Sequence, residues 1–480
     1  MLFNSLNFIV FFPIVVALYF AINPKFRWIL LLIASYYFYM CWNYMYIVLI
    51  IFSTVIDYFA AIGIAHYKPK RIKKLLLFAS LASNLGLLFF FKYFNFFSAN
   101  VNSVLDNFNI FSQVPVYSFL LPVGISFYTF QTLSYTIDVY MGKKEPERHF
   151  GIFALYVSFF PQLVAGPIER STRLLPQFHK VFYFDYERIK NGIVLMVWGM
   201  FKKVVIADRL AEYVNEVYNN PHLYGGLHDL VATFFFASQI YCDFSGYSDI
   251  AIGAAMILGY DLMINFRRPY LSRSIREFWQ RWHISLSTWF RDYLYIPLGG
   301  NRVVKWRWYY NLFITFLISG LWHGANWTFV IWGALHGLYL VLAIITQDNR
   351  NKLAEKLGLA NHTRFVNVAN LLLTFALVFF AWIFFRANTI GDAMLIIGNI
   401  FSISTYSFDL QLFHFKADFY LAFLLIGALM IVEIAQEKYN LIEKLRATTR
   451  WAKWCLFLFL LLLIFILGKW DEADFLYFQF

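Results

Sequence analysis

Long apolar runs separated by short clusters of lysine and arginine leave this chain little choice but to fold in a lipid bilayer. The first run extends from Leu2 to Ile22, and further runs cover 28–42, 44–65, 75–97 and 117–140. Crossing a hydrocarbon core takes about 20 apolar residues in a helix. The bilayer offers no water to the backbone, so each span must satisfy its own N–H and C=O groups, which helices do. Of the 480 residues, 60% are hydrophobic and 14% charged, whereas a soluble chain runs at about 45–50% and about 25%. The expected fold class is therefore all-α and polytopic. About 10–12 crossings are expected, with further short or re-entrant helices.

Charge sets the expected orientation. No Lys or Arg precedes the first run, while Lys25 and Arg27 follow it. A cleaved secretory leader has the reverse order, so a retained helix with an external N-terminus is expected. The loop His66-Tyr-Lys-Pro-Lys-Arg-Ile-Lys-Lys74 carries five basic residues and no acid, which marks it as cytoplasmic. Stretch 98–115 has one Asp and no basic residue, and Gly142-Lys-Lys-Glu-Pro-Glu-Arg148 is basic again. Later spans are expected at 366–387, 419–435 and 454–468. A basic loop at 436–453 precedes the last of these and an acidic tail, Asp471 to Asp474, follows it, so the C-terminus is also expected outside. The net charge of +12 lies in such loops and accompanies no nucleic-acid-binding motif, so the expected partner is the bilayer and not nucleic acid.

The middle of the chain breaks the pattern. Between 150 and 345 lie Pro161, Pro167, Pro176, Pro269 and Pro297, with charges inside or beside apolar runs. Irregular backbone at membrane depth survives only inside protein or beside a water-filled cavity. Ionisable residues there are costly and point to function. His323 lies in Gly320-Leu-Trp-His-Gly-Ala-Asn326, inside an apolar run from Leu312 to Ile345 that also holds His336. A neutral imidazole can remove a proton from a hydroxyl near neutral pH. It can equally be a hydrogen-bonded structural residue. Gly320 and Gly324 flank His323 and admit a close approach of backbone or ligand. His336 lies about 20 Å of helical rise from His323, too far for a hydrogen bond on one continuous helix. His283 can reach His323 only through tertiary folding. Asp243 and Asp249 read as a proton relay or as buried partners for arginines. Arg273, Arg276 and Arg281 belong to a basic stretch that serves as a cytoplasmic interface or binds donor phosphates. There is no His-Glu-x-x-His, and no carboxylate sits at ligand spacing, so no metal is expected.

Together these segments resemble the membrane-bound O-acyltransferase (MBOAT) family, in its bacterial alginate O-acetyltransferase-like branch. The D-alanyl transferase of teichoic acid synthesis is a relative. The strings that carry the resemblance are Leu121-Pro-Val-Gly-Ile-Ser-Phe-Tyr128, Ala165-Gly-Pro-Ile168, Asp243-Phe-Ser-Gly-Tyr-Ser-Asp249, Glu277-Phe-Trp-Gln-Arg-Trp-His-Ile-Ser-Leu-Ser287, Arg291-Asp-Tyr-Leu-Tyr-Ile-Pro-Leu-Gly-Gly-Asn301 and Leu321-Trp-His-Gly-Ala-Asn-Trp327. The resemblance implies helices around a central channel, His323 as the essential histidine and His283 as its polar companion, with His336, Asn326, Asp243 and Asp249 in supporting places. It implies a single membrane domain over 1–480, with N-terminal helices at 1–115, a catalytic core at 116–345, C-terminal helices at 346–453 and a last helix with its tail at 454–480. The ending Phe475-Leu-Tyr-Phe-Gln-Phe480 is similar to that of the branch. Tyr477 is thus either an acyl relay or an aromatic interfacial anchor.

The activity so implied is transfer of an acyl group, acetyl in the first instance, from a cytoplasmic thioester such as acetyl-CoA. No tightly bound cofactor is expected. The acyl group would leave on the external face of a bacterial inner membrane, toward a periplasmic or extracellular transferase partner and a polysaccharide. Two alternatives stay open: D-alanyl transfer from a carrier protein, and a transporter that only passes an acyl donor. Broken helices and buried charges also suit a transporter.

Overall fold

The computed structural model describes residues 1–110, 113–117, 120–164, 166–359, 362–407, 416–439, 448–470 and 475–476. All regular structure among them is helical. Six helices are long and apolar enough to cross a membrane by length and composition. The protein is a polytopic, all-α membrane protein. Its chain forms two compact units, one of Met1–Met196 with Tyr247–Met263, the other of Val197–Gly246 with Ile264–Leu476.

The first unit holds α1 (Leu6–Ala21), α2 (Arg27–Met40), α3 (Ile47–His66), α4 (Lys70–Leu88), α5 (Phe94–Asn107), α6 (Ile125–Tyr140), α7 (Phe150–Ser158), α8 (Phe160–Leu163), α9 (Ser171–Phe178) and most of α10 (Tyr186–Met200). Two sequence expectations shift here. The polar stretch from 98 is helical as far as Asn107, because a π-helical turn at Phe89–Tyr93 joins α4 to α5 and no Gly or Pro lies between Phe89 and Asn107. The span expected from 117 begins only at Ile125. Gly124 precedes it at φ +76, and a Cβ there would lie 2.8 Å from the Leu163 carbonyl oxygen. The helices α3, α4 and α6 close on a buried carboxylate. Asp57 accepts from the Ser80 and Thr136 hydroxyls, and both of its carboxylate oxygens accept from Asn84 Nδ2, at 3.0 and 2.9 Å. Donors thus replace the water this group gave up, which offsets a burial cost otherwise worth several kcal/mol. In the loop after α6, burial alone would push the Glu147 carboxyl up. Hydrogen bonds from His179 and from the His149 N–H, together with the Lys144 charge, hold it below its ordinary value.

The second unit holds α11 (Asp208–Asn219), the first part of α12 (Gly226–Leu258), α13 (Ile275–Arg281), α14 (Ile284–Phe290), α15 (Lys305–His323), α16 (Trp327–Ile345), α17 (Gln347–Lys356), α18 (Thr363–Arg386), α19 (Ile390–Phe401), α20 (Lys416–Tyr439) and α21 (Arg450–Leu467). The apolar run 312–345 is broken, as its pattern suggests, into the antiparallel pair α15 and α16. A Cβ on Gly320 would meet the Phe329 carbonyl at 2.3 Å and Gly333 Cα at 2.9 Å. Glycine at both positions is what lets the two backbones touch. Aromatic rings fill the centre of this unit. Trp279, Trp282, Trp332, Trp382 and Phe385 are all buried in one cluster.

Candidate active site

His323 is the last residue of α15, where the helix ends because Gly324 turns to extended backbone. Its imidazole is buried at 6% exposure, edge-on to Trp332 at 5.1 Å and beside Phe385 at 5.4 Å between ring centroids. Asn326 restarts the chain as the N-cap of α16: its side-chain oxygen accepts from Thr328 N–H, and its Nδ2 donates to the Asn388 carbonyl at 2.8 Å. The amide therefore ties the His323 turn to the end of α18. The space beside the flanking glycines is filled by protein and not left for a ligand: Phe329 packs over Gly324 and Gly333 against Gly320.

His283 reaches the same centre from a different break, the joint between α13 and α14. It is fully buried and sits at φ +41, a left-handed conformation that costs energy for any residue with a Cβ. Asn265 holds it there. The Asn265 side-chain oxygen accepts from Ser285 N–H at 3.2 Å and from the Ser285 hydroxyl at 2.9 Å, and lies 3.2 Å from His283 Nδ1. A backbone N–H can only donate, so the atom facing it is oxygen, and a proton on His283 Nδ1 would complete the donors around that oxygen; the Ser285 hydroxyl also lies 3.4 Å from Nδ1. Trp282, the neighbour of His283, packs on Trp382 at 5.1 Å, and Trp382 packs on Trp332, the ring beside His323, at 6.0 Å between centroids, so tertiary folding brings to one aromatic cluster two histidines that are 40 positions apart in the chain.

His336 stands behind them. The Trp279 indole N–H donates to its Nδ1 at 3.2 Å, and Trp332 packs on it at 4.9 Å between centroids. Because Trp332 also meets His323, His336 seats the ring that seats the candidate base. The three candidate arginines separate. Arg281 is engaged by Glu277 at 2.8 Å and Glu437 at 3.0 Å, and Glu437 also holds Arg268 at 2.6 Å. Arg273 and Arg276 are exposed. The basic stretch thus offers a donor two exposed guanidinium groups and one already spent on carboxylates.

The two aspartates also part. They are six residues apart on α12, about 9 Å of rise and well off one face. Asp249 is half-buried in the first unit. Asp243 is buried in the second and pairs with a lysine, where an arginine was expected. Lys203 Nζ lies 2.7 Å from Asp243 and 2.8 Å from Asp208, all three side chains under 5% exposed. A π-helical turn, Phe201–Ala207, carries Lys203. Such turns leave a carbonyl outside the regular ladder, and here Val204 C=O accepts from Lys469 N–H at 2.9 Å. The second oxygen of Asp243 accepts from Leu476 N–H at 2.8 Å. The C-terminal segment is thereby tied into the core. Its Phe475 meets Phe244 at 5.7 Å, and Phe244 meets His283 at 4.6 Å between ring centroids. Tyr477 lies outside the described residues. Asn265, Lys203 and Asp208 escaped the sequence reading. Two consecutive lysines within an apolar stretch, Lys202 and Lys203, were the available signal. Among the described residues no three His, Cys, Asp or Glu side chains form a group that could hold a metal ion.

The site thus gathers buried histidines from two separate breaks in the helices. Residues 149–388 match the MBOAT, membrane-bound O-acyltransferase family. A protein of Pseudomonas aeruginosa named probable alginate O-acetylase is 40% identical over 412 residues, which is 85% of this chain and 76% of that one. A peptidoglycan O-acetyltransferase of Helicobacter pylori is 37% identical over 439 residues, 85% of this chain and 81% of its own. A teichoic acid D-alanyltransferase of Streptococcus thermophilus is 28% identical over 284 residues, covering 55% and 68%. The chain belongs to the membrane-bound O-acyltransferase family and is an O-acyltransferase.

Proposed function

We propose that this enzyme moves an acetyl group from a cytoplasmic thioester, acetyl-CoA or a carrier-bound equivalent, across the bacterial inner membrane for O-acetylation of a cell-envelope or exported polysaccharide. The observation that carries the reading is the buried pair of imidazoles, one of them anchored by Asn265. His323 takes the proton as the acceptor oxygen attacks the thioester carbonyl. The C–S bond then breaks, and the imidazolium returns the proton to the departing thiolate, so no net proton is released. His283, held on its Nδ1 side by Asn265, orients the donor. Arg273 and Arg276 are the remaining candidates for donor phosphates.

Both termini are external in this reading, as the basic loops require. The acyl group passes to a periplasmic or extracellular transferase partner and then to the polysaccharide. The docking of Phe475 and Leu476 next to Phe244 favours Tyr477 as the relay, since a phenolic ester formed there transfers readily to a sugar hydroxyl. A Tyr477→Phe variant is expected to lose envelope acylation at normal protein level; full acylation in that variant removes the relay. The overall reading is tested by mass spectrometry of the acids that mild base releases from envelopes of wild-type and deletion strains. Loss of acetate alone on deletion supports it. Loss of D-alanine would move the substrate to the carrier-bound alternative, and an unchanged ester content would favour a transporter.

A further inference from the structure

The seat of His283 is built from two facing segments, and two hydrogen bonds join their backbones. Arg267 N–H donates to the Arg281 carbonyl at 2.9 Å, and Ile284 N–H to the Asn265 carbonyl at 3.0 Å. Each segment carries a residue in a conformation that needs holding. Arg268 on one lies at φ +47 and His283 on the other at φ +41, two of the three non-glycine residues at positive φ among the described residues. Left-handed backbone of this kind persists only where the surroundings over-determine it. Asn265 and Ser285 supply part of that restraint from inside the protein.

A further restraint arrives from α20. Arg268 Nε donates to Glu437 Oε2 at 2.6 Å, and Arg281 Nη2 donates to Glu437 Oε1 at 3.0 Å. One carboxylate thus bridges both segments, three positions beyond Asn265 on one and two before His283 on the other. Glu277 also meets Arg281, at 2.8 Å, but from the same helix. The three side chains of the bridge are 21–34% exposed. Ion pairs this open to solvent add little to the stability of a whole fold. A small displacement of a group at a reacting centre, by contrast, costs a large factor in rate. The bridge is therefore placed to act on local geometry. In the proposed orientation it faces the cytoplasm, the side from which the thioester arrives.

We propose that Glu437 is a positioning residue for acyl transfer, a clamp that holds His283 by pairing with Arg268 and Arg281 on the two segments of its seat. The inference rests on the acyl-transfer reading for its purpose, but the clamp itself can be measured without catalysis. The variant is Glu437→Ala in the purified full-length protein in lipid nanodiscs. Glu437→Gln, which keeps an acceptor and loses the charge, is read in the same way if the alanine variant does not accumulate. Hydrogen–deuterium exchange is expected to quicken about tenfold in the peptides that contain Arg267 and Ile284, the worth of a lost charge-assisted bond. Exchange in α15 and α16 and the thermal unfolding midpoint are expected to stay at wild-type values. Single-turnover transfer is expected to fall about tenfold to a hundredfold, the cost of a small misplacement. The clamp acts through His283, so in a His283→Ala background, where His323 still supports slow transfer, the same substitution should cost nothing further. Unchanged exchange in both peptides overturns the clamp. Exchange that quickens throughout the protein makes Glu437 a general staple and overturns it too. So do losses of rate that multiply in the double variant, and so does a fall in donor KM at unchanged kcat, which would make Glu437 a mask over donor-binding arginines. Local quickening in a protein that transfers no acyl group fails the transfer reading and leaves the clamp on His283 standing.

Discussion

His323→Ala is expected to lower acyl transfer by about 10²–10⁴-fold, the usual worth of a positioned general base, while the purified protein stays monodisperse. The fold should tolerate it, because Trp332 and Phe385, the rings that hold His323, are held independently by Trp382 and His336. The measurement is single-turnover transfer from labelled thioester at matched protein concentration. Asn265→Ala should cost less, because it loosens the seat of His283 without removing either imidazole. If His323→Ala keeps wild-type rates, His323 is a structural histidine that wedges the α15–α16 turn and the proposed mechanism fails.

How much of this was legible in the sequence follows from the range over which each residue's chemistry acts. That helices break between 150 and 345 was readable because prolines and charges mark it locally; the α15–α16 break itself is made by Gly324 and the capping Asn326. The late start of α6 was not, because it depends on Leu163 meeting Gly124 across the fold. His283 and His323 could be singled out as costly polar residues in apolar runs, but their approach is tertiary. The same holds for Asn265, which reads as an ordinary polar residue until it is seen beneath His283. Arg281 looked like its neighbours Arg273 and Arg276. Glu277, four positions before it, and Glu437, arriving from α20 156 positions away, separate it from them.

Lys203→Met is expected to cost the fold about 3–5 kcal/mol, the range for breaking a buried ion pair by removing one partner. Here the loss falls at the upper end, because Asp208 and Asp243 would be left with no cation between them. Most of the variant should fail to accumulate, or should unfold in detergent well below wild type. Neutralising the acids tests the cause. Lys203→Met combined with Asp208→Asn and Asp243→Asn should recover much of the stability, since an asparagine at 243 still accepts the Leu476 N–H. Asp243→Leu separates the two duties of this site. It keeps the Lys203–Asp208 pair and should cost only about 1–3 kcal/mol for the orphaned backbone donor. Yet it unlatches Phe475 from Phe244, the ring against His283. Its transfer rate should therefore fall further than its stability explains. Equal losses of rate and of folded protein would reduce the triad to a staple. A rate that falls while thermal unfolding barely moves makes Asp243 a positioning residue, acting on His283 through the docked end of the chain.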